Sequence, residues 1–233
     1  MKVTPSTTGV NNKQIVNIFT YDAEHFGEQS IHIKRLYHKY KCRIAVVDGN
    51  GIGSGLVDWL VMDQEDPDTG ESLGAMGVYN DPEGIYKKFL SNSVYPIPNS
   101  LYVMKANVSI NSELYSYCQT QLSAGKLQFL IDENAAKAKL NDPNIAKGKN
   151  WSRNKKAEYL RPYVLTSVLR EQMSNLIEDS EGANVRLKQS NRTIKKDKVS
   201  ALIYALWWTM NEERRGSKKR FGDMSRLMLF SKH

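Results

Sequence analysis

The stretch from Arg43 to Leu60 constrains the fold of this chain more than any other. Residues 43–47 are a short run rich in branched apolar side chains, the pattern of a strand covered on both faces. Gly49, Gly51, Gly53 and Gly55 follow, and then a helical pattern begins. Only a tight turn between a strand and a helix uses glycine so densely, and this order is a unit of an α/β sheet. Asp48 therefore stands at the strand tip, where α/β proteins open the crevice that carries their chemistry.

The neighbouring segments repeat the alternation. Residues 13–20 read as a strand after the turn-rich segment 5–12, and 28–41 as a helix with Ile33, Leu36, Tyr37 and Tyr40 on one face. With strand 43–48 and a helix over 54–62, the succession is β-α-β-α. Residues 63–100 are broken by Asp66-Pro67, Asp81-Pro82 and Ile97-Pro98, so we expect a long irregular connection with one short helix near 83–90. Residues 101–106 read as a strand, 111–123 as a helix and 126–131 as a strand. The polar, basic segment 141–156 is expected to be mobile without a partner. Helical spacing resumes over 157–178, interrupted near its start by Pro162. An alternating strand is expected at 184–188, and a last helix over 199–210 with Val199, Leu202, Ile203, Leu206 and Met210 as its stripe. Trp207 and Trp208 on that helix read as core and interface packing.

Charge is unevenly placed. Three windows, 147–161, 186–198 and 214–220, hold 17 of the 33 lysines and arginines but 2 of the 25 acids, so the remainder is net acidic. A polyanion such as nucleic acid explains the asymmetry, and three unrelated solvated segments are the alternative. No apolar run approaches the roughly 20 residues of a membrane span, and the first residues lack the apolar centre of a signal peptide, which places the chain in a cytoplasm. Cys42 and Cys118 fit neither a disulfide framework nor a zinc site and read as buried thiols. His25, His32, His38 and His233 show no metal-site spacing, and His32 and His38 are expected to face solvent.

Several chemistries are disfavoured. The glycines run in steps of two without the second half of a dinucleotide fingerprint, and an ionised Asp48 repels a pyrophosphate. No phosphate-loop motif occurs, so no nucleotide is expected on this chain. Hard divalent cations prefer carboxylate oxygens, and paired ions assist phosphodiester hydrolysis by stabilising the attacking and leaving oxygens. Asp48 at a strand tip and Asp197 at a helix start, flanked by Lys195, Lys196 and Lys198, suit such chemistry. Asp197 has a second reading as a helix N-cap, and one residue can serve both.

The pattern from Val46 to Asp58, preceded by Gln29 to Tyr37 and followed by Lys195 to Tyr204, resembles the C-terminal nuclease domain of tailed-bacteriophage terminase large subunits. The likeness spans about Lys2 to Glu213. It implies an α/β, RNase H-like fold, a mixed central sheet flanked by helices, as one domain over 1–213 with a basic tail over 214–233. It also implies a metal-dependent endonuclease that cuts concatemeric viral DNA during packaging, in the cytoplasm of a bacterial host. Three acids hold two Mg²⁺ or Mn²⁺ ions in that family; Asp48 matches the second and Asp197 the third. Double-stranded viral DNA, the terminase small subunit and the portal protein are the implied partners.

The family's first acid lies on a strand some fifty residues before the position of Asp48, and the chain is expected to lack that strand and the ATPase motor. Asp22 lies in the wrong place to substitute. A chain so shortened is expected to bind metal weakly and to cleave DNA poorly or not at all. The alternative is an RNase H-like DNA-binding or packaging-assembly module without chemistry. Lys195, Lys196 and Lys198 are the best candidate phosphate contacts, Lys155 and Lys156 belong to a candidate basic arm over 147–156, and Gly49, Gly51 and Gly53 form the structural turn.

Overall fold

The computed structural model describes residues 1–6, 9–21, 25–51, 53–87, 97–142, 151–179 and 184–229, with backbone alone for 217–229. In chain order the elements are β1 (Lys2–Thr4), β2 (Asn12–Gln14), α1 (Phe26–Lys39), β3 (Ala45–Asp48), α2 (Gly53–Leu60), β4 (Gly77–Val78), β5 (Asn99–Met104), α3 (Val108–Ser123), β6 (Leu127–Gln128), α4 (Glu133–Asn141), α5 (Arg153–Ser174), β7 (Leu176–Glu178), β8 (Leu187–Gln189) and α6 (Asp197–Leu229). The chain is mixed α/β with parallel strand pairs. It divides into two compact units, Thr20–Asn107 and the remainder, where the sequence reading has one domain.

In the smaller unit the strand order is β3-β5-β4, all parallel, with Val47 opposite Val103 and Asp48 opposite Met104. Parallel strands need helices to cover them, and α1 and α2 do so. Val57, Leu60 and Val61 pack with Met76, Val78, Leu101 and Val103, and Ile33 and Tyr37 of α1 close on the same cluster. The strand β3 is half-buried over 45–47 instead of fully covered. β4 is only two residues long, and Asn80 takes over where it stops: its amide donates to the Val103 carbonyl at 2.7 Å and accepts from the Val103 N–H at 2.9 Å. Beneath α1, Lys34 is fully buried and donates to the Met62 carbonyl. Burial lowers its ammonium to about 8, against the pull of Asp63. The helix predicted near 83–90 runs into residues outside those described.

In the larger unit β2 lies between β1, antiparallel, and β6, parallel, and β7 and β8 form a hairpin. The strand predicted over 13–20 shortens to Asn12–Gln14, and that over 126–131 to Leu127–Gln128, because each finds a partner only there. Helix α5 continues through Pro162 without interruption, although proline there removes one helical N–H. The end of the predicted 157–178 helix is instead β7. The stripe Val199, Leu202, Ile203, Leu206 and Met210 is buried on α6, each side chain worth about 1.5–3 kcal/mol of apolar burial. The helix backbone continues to Leu229, through residues that the sequence reading assigns to a tail.

One ionic cluster ties this unit together. Lys13 is fully buried, with Nζ 2.8 Å from Glu213 Oε1, 2.8 Å from Gln121 Oε1 and 3.0 Å from the Asn11 carbonyl oxygen. The Tyr117 hydroxyl donates to Glu213 Oε2 at 2.7 Å, and the Asn11 N–H donates to Oε1 at 2.8 Å. Burial first, and then Glu213, raise the Tyr117 hydroxyl above its ordinary range. Among the described residues no helix is long and apolar enough to cross a membrane.

Candidate functional site

Asp48 ends β3, exposed, beside the carboxyl end of β5. The chain leaves the strand through a turn that is pinned at both ends. The Gly49 N–H donates to the Met104 carbonyl at 2.8 Å, extending the parallel ladder by one bond, and the Asn50 side chain reaches the Ala106 carbonyl at 3.3 Å. Gly51 takes φ +56°, the left-handed region that L side chains resist. Gly49 and Gly53 are required by crowding: a Cβ at 49 would sit 2.3 Å from Val103 Cγ1, and one at 53 would sit 2.0 Å from the Asp48 carbonyl oxygen. So α2 starts directly against the backbone of Asp48. The carboxylate accepts from the Asn50 N–H at 3.0 Å through Oδ1, which fixes its rotamer. Among the described residues that is its one hydrogen bond, and the residue is exposed.

Asp197 belongs to the other unit, at the first residue of α6. The buried side chain of Gln172, from α5, clips it in place. The Gln172 amide donates to Asp197 Oδ1 at 2.6 Å, while its carbonyl oxygen accepts from the Lys198 N–H at 3.0 Å. Lys198 Nζ lies 3.3 Å from Asp197 Oδ2. Partial burial works against the charge, but Gln172 and Lys198 outweigh it and hold the carboxyl below its ordinary value. The Gln172 oxygen thus satisfies one backbone N–H at the helix start, where Asp197 is the first residue. Lys198 is committed to the acid, whereas Lys195 and Lys196 are exposed. Each acid is described within its own unit. Among the described residues no three histidine, cysteine, aspartate or glutamate side chains gather as a metal site.

No family model, curated protein or solved structure matches the chain.

Two predicted placements are corrected. Cys42 is exposed, because α1 ends in a turn with Lys41 at φ 47° that carries Cys42 outward; Cys118 is buried, and desolvation raises its thiol to about 11. His32 is half-buried and stacks on Tyr21, with centroids 4.3 Å apart and planes 6° from parallel, while His38 is exposed as expected. Asp22, Lys147, Lys149 and His233 lie outside the described residues.

A feature absent from the sequence reading lies in the larger unit. Ser152 caps α5 by accepting from the Lys155 N–H at 3.3 Å, and the exposed Lys155 places Nζ 5.0 Å from the Trp151 ring centre. Trp151 and Tyr159 meet edge to face at 5.4 Å, and Tyr159 and Tyr163 follow at 5.6 Å. These side chains border a cavity of about 380 Å³, shared with Asn17, Glu158 and Pro162. Burial, with the neighbouring Tyr159 hydroxyl, raises the Tyr163 hydroxyl. Its signal in the sequence is spacing: residues 155, 159 and 163 recur every fourth position along one ridge of α5, and Trp151 immediately precedes its N-cap. Lys156 sits beside that ridge, half-buried.

Proposed function

We propose that this chain is a divalent-metal-dependent DNA endonuclease of the terminase large-subunit type, with an RNase H-like nuclease fold, that cuts viral DNA during packaging in a bacterial host. The observation that carries the reading is Asp48: an exposed aspartate with one carboxylate oxygen held by the Asn50 N–H, at the carboxyl end of a parallel strand pair, on a turn where Gly49 and Gly53 leave no room for a Cβ. The donor chemistry fits Mg²⁺ or Mn²⁺, which take carboxylate oxygens. Asp48 is the candidate metal ligand of the smaller unit and Asp197 that of the larger unit, its carboxyl already held below its ordinary value. Bound there, the metal supplies charge stabilisation and an activated water for phosphodiester hydrolysis.

The protein's own groups do the remaining work. The Asn50 N–H orients Asp48, Gln172 orients Asp197, and the exposed Lys195 and Lys196, with Lys155 and Lys156, neutralise backbone phosphates. Double-stranded viral DNA is the substrate in this reading, and the small subunit and portal protein are its packaging partners.

A second reading is favoured by one specific observation: both oxygens of Asp197 already have partners, Gln172 and Lys198. On that reading the chain binds DNA or packaging partners without chemistry. Plasmid nicking in Mg²⁺ or Mn²⁺ separates the two. The nuclease reading expects weak metal-dependent nicking by the wild type, in keeping with the low activity expected from the sequence, that is lost in Asp48→Asn and in Asp197→Asn while salt-sensitive DNA binding persists. Nicking that survives either substitution refutes the assigned ligands; binding without nicking by the wild type selects the module.

A further inference from the structure

We propose that the aromatic cavity at the start of α5 binds one unpaired nucleotide of a DNA strand, with the base against Trp151 and Tyr159 and the phosphate at Lys155. The inference deepens the DNA-directed reading above and rests on it. Three observations support the assignment. The first is the rings themselves. Trp151, Tyr159 and Tyr163 are half-buried and border an open cavity of about 380 Å³, within the range of roughly 300–1,000 Å³ typical of small-ligand pockets. Aromatic faces held beside open space are poor packing but good stacking platforms for any base.

The second observation is the polar lining. Glu158 offers a carboxylate to the hydrogen-bonding edge of a base, beside Asn17, whose Oδ1 accepts from the Ile18 N–H at 2.8 Å. Pro162 lies four residues after Glu158 and has no N–H, so the Glu158 backbone carbonyl also lacks its helical donor beside the cavity. The third is charge. The Lys155 ammonium, 5.0 Å from the Trp151 ring, attracts a phosphate, while the Glu158 carboxylate on the same lining repels one. Charge therefore places the phosphate at Lys155, away from Glu158. A base paired inside a duplex cannot enter without unstacking, so the favoured occupant is a strand end or overhang, the form of DNA that a staggered double-strand cut creates.

The test uses the full chain in EDTA, so that binding is read without cleavage. Anisotropy of a short fluorescein-labelled oligo(dT) is compared with that of a blunt duplex of equal length at the same salt. Trp151→Ala is expected to weaken oligo(dT) binding about tenfold or more and to leave duplex binding within about twofold, as the loss of one stacked base implies. Trp151→Phe should restore most of the affinity, and Lys155→Gln should lower the salt slope by about one. Circular dichroism shows that each variant is folded; should Trp151→Ala not fold, Tyr159→Ala takes its place. Equal losses on oligo(dT) and duplex, or unchanged oligo(dT) affinity in a folded variant, overturn the inference. Nicking assays on the same variants keep the two proposals apart: loss of nicking in Asp48→Asn with oligo(dT) binding intact supports both, and a wild type that binds oligo(dT) through Trp151 without nicking defeats only the nuclease reading.

Discussion

Replacing Lys13 by Met tests the ionic cluster of the larger unit. At 2.8 Å from Glu213 the gross attraction is about 6 kcal/mol for an effective dielectric of about 20, and desolvation of both groups offsets much of it. Removing the lysine forfeits the attraction but leaves the desolvation cost of Glu213, whose side chain is only 10 % exposed. Glu213 keeps the Asn11 N–H and the Tyr117 hydroxyl, while the buried Gln121 loses its donor. The expected cost is therefore near the lower end for a broken buried pair, about 3 kcal/mol, which lowers Tm by about 6–12 °C. Glu213→Gln should cost a similar amount in the wild type and little in the Lys13→Met background, because there it removes the stranded charge. A urea-unfolding double-mutant cycle reads the coupling directly, expected at about 2 kcal/mol or more. Costs that add to within about 0.5 kcal/mol, with Lys13→Met costing less than about 1, would mean the pair behaves as an exposed one, and the reasoning fails.

Three further outcomes are expected. Gly53→Ala should destabilise by about 1–3 kcal/mol in urea and abolish any nicking, since its Cβ meets the Asp48 backbone at 2.0 Å; Gly51→Ala, which meets nothing within 4 Å, should cost only its left-handed backbone, about 1–2 kcal/mol. Lys34 has a folded value of about 8 against an ordinary 10.5, so between those values the unfolded chain binds the extra proton and stability gains with rising pH; urea midpoints should show this gain in the wild type and lose it in Lys34→Met. A thiol reagent near pH 8 should modify Cys42 quickly and Cys118 only on denaturation, and Cys42→Ser should remove the fast phase.

The parts of the fold that were legible have a local cause. The α6 stripe and the β3-turn-α2 unit each write their periodicity and their glycines within a few residues, so Val199 to Met210 and Asp48 are found where the pattern puts them. The parts that were not legible depend on distant residues. Nothing near Lys13 says that an ammonium is buried there, because its partner Glu213 is 200 positions away. The short helix α4 passed unseen although Asp132 caps it by accepting from the Ala135 N–H at 2.9 Å, since it buries only Ala136 and has no stripe. Strand lengths at 13–20 and 126–131 were overestimated because pairing, not propensity, sets them. The aromatic cavity joins Asn17, Leu130 and the first turns of α5, three segments that no single window contains.

The amide of Asn80 has a consequence for self-association. A two-residue β4 leaves the far half of β5 with an N–H and a carbonyl at Val103 that a strand from another copy of the chain would otherwise zip onto. Asn80 occupies both positions with one planar group that offers no continuing backbone to extend. A single side chain thus ends the ladder on that edge, so a strand adding there must first displace Asn80 from both bonds.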